Sequence, residues 1–145
     1  MSTMTDAQPH LVTRSAVVAG PPSAVFAVLA DPRAHAALDG SGLVKGLADG
    51  PERLADGDEF TMRMKGYRTV NTVVEYIPDA RIAWRHTGRH VWRWELAEVP
   101  GGTEVHGTFD YSAKRSRRFV ELLGFPRRAG RALDGTLTVL QTRFA

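Results

Sequence analysis

Two hydrophobic periods run along this chain, and the switch between them marks out its architecture. From Glu59 the period is two: Phe60, Met62 and Met64 alternate with Glu59, Thr61, Arg63 and Lys65, as in a half-buried strand. Val70, Thr72, Val74 and Tyr76 are expected to continue the same face on the next strand, up to a turn at Pro78-Asp79. Ile82, Trp84 and His86 then alternate with Arg81, Ala83 and Arg85. His90, Trp92, Trp94 and Leu96 alternate with Val91, Arg93 and Glu95. After a turn at Pro100-Gly101-Gly102, Thr103 to Tyr111 reads as the last strand. Its pattern sets Val105 and Phe109 against His106, Thr108 and Asp110 without deciding which side faces inward.

The period lengthens to that of a helix between Pro126 and Phe144. Ala129, Leu133, Thr136, Leu137, Leu140 and Phe144 share one side, and Arg127, Arg131, Asp134, Thr138 and Thr142 the other. Pro126 suits a first turn, where a missing N–H costs nothing. Propensity alone does not form this helix: Gly130 and Gly135 each disfavour it by about 1 kcal/mol against alanine. It therefore depends on burying its stripe against a broad apolar surface, which the strands supply. Upstream, Met1 to Gln8 reads as a polar tail and His10 to Val18 as a first strand ended by Gly20-Pro21-Pro22. A short helix follows through Val25, Phe26 and Leu29. Asp31-Pro32 opens a second near His35 to Leu38. Asp39 to Gly57 reads as loop around one short strand at Leu43 to Gly46, and Ser112 to Leu123 as a helical lead-in ended by Gly124. Strands joined by tight turns pair antiparallel. The expected architecture is α+β, one domain over residues 9–145: a curved antiparallel sheet wrapped around one long C-terminal helix, with two short helices after the first strand.

Composition narrows the chemistry. The 145 residues hold a core without staples, and with no cysteine there are no disulfides, thiolate nucleophiles or thiolate metal sites. No signal peptide is recognisable and no apolar run approaches the ~20 residues of a membrane span, so a cytoplasmic location is expected. The formal charge is only +3, but Lys114, Arg115, Arg117, Arg118, Arg127, Arg128 and Arg131 crowd one region. Such a cluster could meet nucleic acid or an anionic surface. No nucleic-acid-binding motif accompanies it, so it reads as a solvated helix surface. The glycine-rich segments are turns, with no phosphate loop, nucleophile elbow or zinc motif among them.

Several segments carry a family likeness. Val12-Thr13-Arg14-Ser15 followed by Ala19-Gly20-Pro21-Pro22-Ser23-Ala24-Val25-Phe26 resembles the opening of the SRPBCC proteins, the START-like or helix-grip superfamily. Glu75-Tyr76 leading to Arg81-Ile82-Ala83-Trp84 resembles its central hairpin, and Gly102-Thr103-Glu104-Val105 before Asp110-Tyr111 its last strand. The likeness spans nearly the whole chain and is strongest to the polyketide cyclase/dehydrase and lipid-transport branch. It implies a helix-grip fold with an internal cavity between sheet and helix that holds an apolar or amphipathic small molecule. The superfamily has no universal catalytic motif, so the resemblance designates no catalytic residue, metal or cofactor.

The candidate site is the inner face of this arrangement. If even-numbered residues point inward on both strands of the Ile82–Leu96 hairpin, its loop must hold an odd number of residues. Thr87-Gly88-Arg89 then pairs His86 with His90, Trp84 with Trp92 and Ile82 with Trp94. Tryptophans stacked in this way suit a flat ring or an acyl chain. Phe60, Met62 and Met64 are expected to supply adaptable walls, with Val74 and Tyr76 beside them and Tyr76 orienting a ligand carbonyl. Leu133, Thr136, Leu137 and Leu140 are expected to form the helical wall, Thr136 with a hydroxyl that needs a partner. Two imidazoles make an incomplete metal shell, so His86 and His90 read as rim residues or as a general base. Asp110 is expected to serve as a cap or to pair with a nearby arginine. The function expected is binding of a lipid- or polyketide-like molecule. The rivals are a cyclase or aromatase moving protons with His86, His90 or Tyr76, and a nucleic-acid partner acting through the basic segment after Lys114. The expected partner is thus a hydrophobic small molecule rather than nucleic acid, and a homodimer is compatible with the same reading.

Overall fold

The computed structural model describes residues 10–87, 89–113 and 117–145. The expected tail, Gly88 of the hairpin loop, and Lys114 and Arg115 of the basic cluster lie outside them. Seven strands form one antiparallel sheet: β1 (Leu11–Val18), β2 (Val44–Asp49), β3 (Glu59–Met64), β4 (Arg68–Ile77), β5 (Arg81–His86), β6 (Val91–Val99) and β7 (Gly102–Asp110). Their spatial order is β1-β7-β6-β5-β4-β3-β2, so a meander runs from β2 to β7 and β1 closes onto β7 from Leu11↔Asp110 to Val18↔Thr103. The turns form where the sequence places them. Asp79 takes φ 64° as the Ala80 amide donates to the Ile77 carbonyl at 3.0 Å, and Gly101 takes φ 90° between β6 and β7.

Between β1 and β2 lie α1 (Pro22–Leu29), a 3₁₀ turn (Pro32–Ala34) and α2 (His35–Leu38). The Asp31 carboxylate accepts from the Arg33 amide at 2.9 Å, as a capping acid should. After β7 come α3 (Arg117–Leu122), which lies within the expected lead-in, and α4 (Phe125–Arg143); Ser112 and Ala113 form a turn. Gly124, at φ 77°, turns the chain into α4, and Pro126 stands in its first turn. The buried face of α4 carries Ala129, Leu133, Thr136, Leu137 and Leu140, and the helix lies against β1 and β7. One of its poor helix formers has a packing reason. A Cβ on Gly135 would come within 2.6 Å of Gly40 Cα, so the loop after α2 touches the helix backbone to backbone.

Two expectations change, and a face left open is decided. On β4 the buried residues are Thr69, Asn71 and Val73, while Val70 is 45% exposed. The register decides this: Phe60 stands opposite Asn71 and Met62 opposite Thr69, and residues directly opposite share a face. A bulge between Val73 and Glu75 leaves Val74 out of phase and returns Tyr76 to the inner face opposite Ile82. β2 runs Val44–Asp49 rather than Leu43–Gly46, with its pairing to β3 broken by two register shifts. On β7 the inward set is Thr103, Val105, Gly107 and Phe109. Gly107 leaves room there for the Trp94 ring, which a Cβ would meet at 2.5 Å. Thr108 takes the opposite face, its hydroxyl 3.4 Å from that of Thr13.

Candidate functional site

Part of the layer between sheet and α4 is solid. Val18, Val25, Phe26, Ile82, Val105, Leu137 and Leu140 all belong to one buried apolar cluster. Elsewhere a cavity of ≈ 330 Å³ remains between them. Its sheet wall is Phe60, Met62 and Met64 from β3, Trp84 from β5, Trp92 and Trp94 from β6, and Phe109 from β7. α4 offers Phe125, Arg128, Ala129, Ala132, Leu133 and Thr136 to it. Leu29, His35 and Leu38 close one side, and the exposed Ser41, Leu43, Tyr67 and Arg128 stand at its rim. The small side chains of α4 are the local cause: alanines under tryptophans leave volume that leucines would occupy.

The β5–β6 hairpin has the register that loop parity required, with Trp84 opposite Trp92 and Ile82 opposite Trp94. The His86 amide donates to the His90 carbonyl at 2.8 Å, and the two imidazoles stack at 4.3 Å and 18°. His90 also lies 5.1 Å from the Phe109 ring. Of the residues expected at the site, Phe60, Met62, Met64, Trp84, His86, His90, Trp92, Trp94, Leu133 and Thr136 border the cavity. Val74, Tyr76, Leu137 and Leu140 do not. Val74 is displaced by the bulge, and Tyr76 packs edge-on against Phe26 at 5.6 Å in the solid part of the core. Leu137 and Leu140 lie farther along α4, where that same core is closed.

Sequence reasoning missed a second group of cavity residues: His35, Thr69, Asn71, Phe109 and the two alanines of α4. His35 is buried, stacked on Trp84 at 4.7 Å and 24°, with its edge toward Phe60 at 5.5 Å. Its Nε2 lies 2.9 Å from the Leu29 carbonyl oxygen. Burial holds its pKa below the usual imidazole value, against smaller opposing effects from that hydrogen bond and from Asp31. Asn71 donates from Nδ2 to Thr69 Oγ1 at 3.4 Å and stands opposite His86 on the neighbouring strand. The Thr136 hydroxyl has a partner within the protein, donating to the Leu38 carbonyl at 2.7 Å. At the rim, Asp39 accepts from the Ser41 and Val44 amides and the Ser41 hydroxyl, while Arg128 lies 4.5 Å over the Phe125 ring. The signal for Asn71 and Thr69 was present in the β3 alternation once the β3–β4 register is known. His35 sits on a helix too short for a periodic pattern.

The pattern of seven antiparallel strands gripping a long helix has matches among known proteins. A family model described as polyketide cyclase/dehydrase and lipid transport matches residues 9–145. The chain belongs to this family, within the SRPBCC superfamily. An uncharacterized protein of Mycobacterium tuberculosis, Rv0088, is 38% identical over 152 residues, spanning 99% of this chain and 68% of its own length. The crystal structure of Ms6760 from Mycobacterium smegmatis superposes with a TM-score of 0.69 at 17% identity, covering 92% of each chain. The solution structure of the Aha1 dimer from Colwellia psychrerythraea superposes with a TM-score of 0.69 at 14% identity, covering 92% of this chain and 95% of that one. At such identities the two structures establish the helix-grip fold and nothing finer.

In this polyketide cyclase/dehydrase and lipid-transport family member, the remaining polar candidates do not border the cavity. Asp110 pairs with Arg93 at 3.5 Å, as expected, and Arg93 also grips Glu75 through two hydrogen bonds of 2.9 and 2.7 Å. That grip lowers the Glu75 pKa and raises that of Arg93. The Tyr111 hydroxyl donates to Glu121 on α3 at 2.7 Å, and burial together with that carboxylate pushes its pKa up to about 12. Among the described residues no group of three or more histidines, aspartates or glutamates could hold a metal ion, and no helix is long and apolar enough to cross a membrane.

Proposed function

We propose that this protein binds a hydrophobic or amphipathic small molecule, of lipid or polyketide character, between the sheet and α4. The observation that carries this reading is a space of ≈ 330 Å³ walled by tryptophan, phenylalanine and methionine beside a buried apolar cluster. Protein interiors pack with few voids larger than a water molecule, and small-molecule sites begin at about 300 Å³ with largely apolar walls. Family membership supports the same reading, since its description joins ring-forming enzymes to lipid carriers.

The reading is tested by titrating the native protein with 1-anilinonaphthalene-8-sulfonate while following tryptophan emission. A saturable change with 1:1 stoichiometry by native mass spectrometry is expected, weakened about tenfold or more by Trp92→Ala, since a buried aromatic contact contributes several tenths to about 1.5 kcal/mol beyond its area. Affinity unaltered by replacing any of Trp84, Trp92 and Trp94 would refute it.

A cyclase- or aromatase-type reaction in the same space is the second reading. It is favoured by one observation: three imidazoles, His35, His86 and His90, border a single cavity. Imidazole is suited to proton transfer near neutral pH. Turnover of a poly-carbonyl substrate that falls in His86→Ala or His90→Ala would support it, and unchanged turnover in both would remove those two from any mechanism.

A further inference from the structure

His35 is 8% exposed, yet it lies on the cavity wall. Its Nε2 sits 2.9 Å from the Leu29 carbonyl oxygen, an atom that only accepts, so the ring hydrogen resides on Nε2. Burial lowers its pKa and so favours the uncharged ring. Nδ1 is then left with an in-plane lone pair, and no described residue donates a hydrogen bond to it. The ring cannot swing to find a donor elsewhere. Trp84 covers one of its faces at 4.7 Å and Phe60 meets it at 5.5 Å, while the Leu29 bond holds its plane. Of the polar groups that border the same cavity, the Thr136 hydroxyl donates to Leu38, Asn71 Nδ2 donates to Thr69, and the Asp39 carboxylate accepts within its own loop. Once a ligand displaces water from the cavity, an acceptor left without a donor carries a desolvation penalty of about 1–3 kcal/mol, which a ligand supplying that donor avoids.

We propose that His35 Nδ1 is the atom that selects the ligand, and that the cavity takes a flat, uncharged ring compound bearing a hydroxyl donor, a phenol or enol, whose O–H donates to Nδ1 beside Trp84. The inference rests on the cavity reading above and narrows it. Discrimination of this kind is asymmetric. A ring without the hydroxyl leaves Nδ1 unpaired, and an ionised hydroxyl has no proton to give and turns a lone pair toward a lone pair.

The experiment compares 2-naphthol with naphthalene near neutral pH, where 2-naphthol is un-ionised, by tryptophan quenching on the native protein and on two variants. The native protein should bind 2-naphthol about tenfold tighter, corresponding to about 1.4 kcal/mol. His35→Phe should erase the ratio. His35→Gln should keep most of it, because the amide can donate to Leu29 and still present an acceptor oxygen. In the native protein the ¹⁵N resonance of His35 Nδ1 should move on adding 2-naphthol and stay in place with naphthalene. This readout would be unmoved if His35 served only to hold α1 to α2. Equal affinities for the two probes, or a ratio that survives His35→Phe, would overturn the inference while leaving the cavity reading intact. Failure of both probes and of the anilinonaphthalene to bind would overturn both. If His35→Phe does not fold, the affinity ratio and the Nδ1 resonance of the native protein decide the matter.

Discussion

Toward its C-terminal end α4 carries Leu137 and Leu140, 3% and 0% exposed, into the cluster of Val18, Phe26, Ile82 and Val105. Toward its N-terminal end it turns Ala129 and Ala132, and near its middle Thr136, to a space of ≈ 330 Å³ under Trp84, Trp92 and Met64. Both halves belong to one amphipathic stripe and face one sheet. They differ in side-chain volume and in what the strands place opposite. Leucine against valine, isoleucine and phenylalanine closes without a void. Alanine and threonine against long, rigid indoles do not. One helix therefore serves as an anchor at one end and as the wall of a site at the other, and stability and binding should respond separately to changes along it.

Truncation in the closed half should have the largest effect. Leu140→Ala should cost about 2–5 kcal/mol, read from the denaturant midpoint at unchanged slope, because a fully buried leucine leaves a cavity that the sheet cannot collapse to fill. The folded variant should bind the anilinonaphthalene probe as the native protein does. A large loss of affinity would mean that the two halves are coupled.

At the boundary, Gly135→Ala should cost about 1–3 kcal/mol, although alanine is the better helix former by about 1 kcal/mol. The new Cβ would lie 2.6 Å from Gly40 Cα, and both partners are backbone. Thermal denaturation would check this. A stabilised Gly135→Ala would show that the loop after α2 can lift away from the helix.

The smallest change in stability is expected in the open half. Ala132→Leu should shift the unfolding free energy by less than about 1 kcal/mol, because the added methylenes enter unoccupied volume and gain contacts there. The same variant should lose the aromatic probe. Destabilisation by several kcal/mol with binding retained would show that Ala132 faces a packed core, and the contrast between the two halves would fail.

Much of this could be read from the chain alone. The odd-length loop at residues 87–89 and the unbroken alternation on both sides leave the β5–β6 hairpin only one register that buries its tryptophans, and Trp84 does face Trp92. The stripe of α4 was equally legible, since Ala129, Leu133, Thr136, Leu137 and Leu140 follow from the 3.6-residue period. β4 was not. Val73 and Val74 are adjacent and equally apolar, so its phase depends on pairing with β3 and on a bulge, neither of which is written in the strand itself.

What the sequence by itself determined is local: where the strands of the meander from β3 to β7 lie, which way the tryptophan hairpin pairs, and which face the last helix buries. These follow from backbone geometry, whose two periods repeat within a few residues. The tertiary structure decided where along α4 the packing opens, that His35 rather than Tyr76 enters the cavity wall, and that Thr136 donates to Leu38, 98 positions away in sequence. Those outcomes depend on the sizes of side chains brought together from distant segments, and a periodic pattern carries the direction of a side chain but not the volume that will face it.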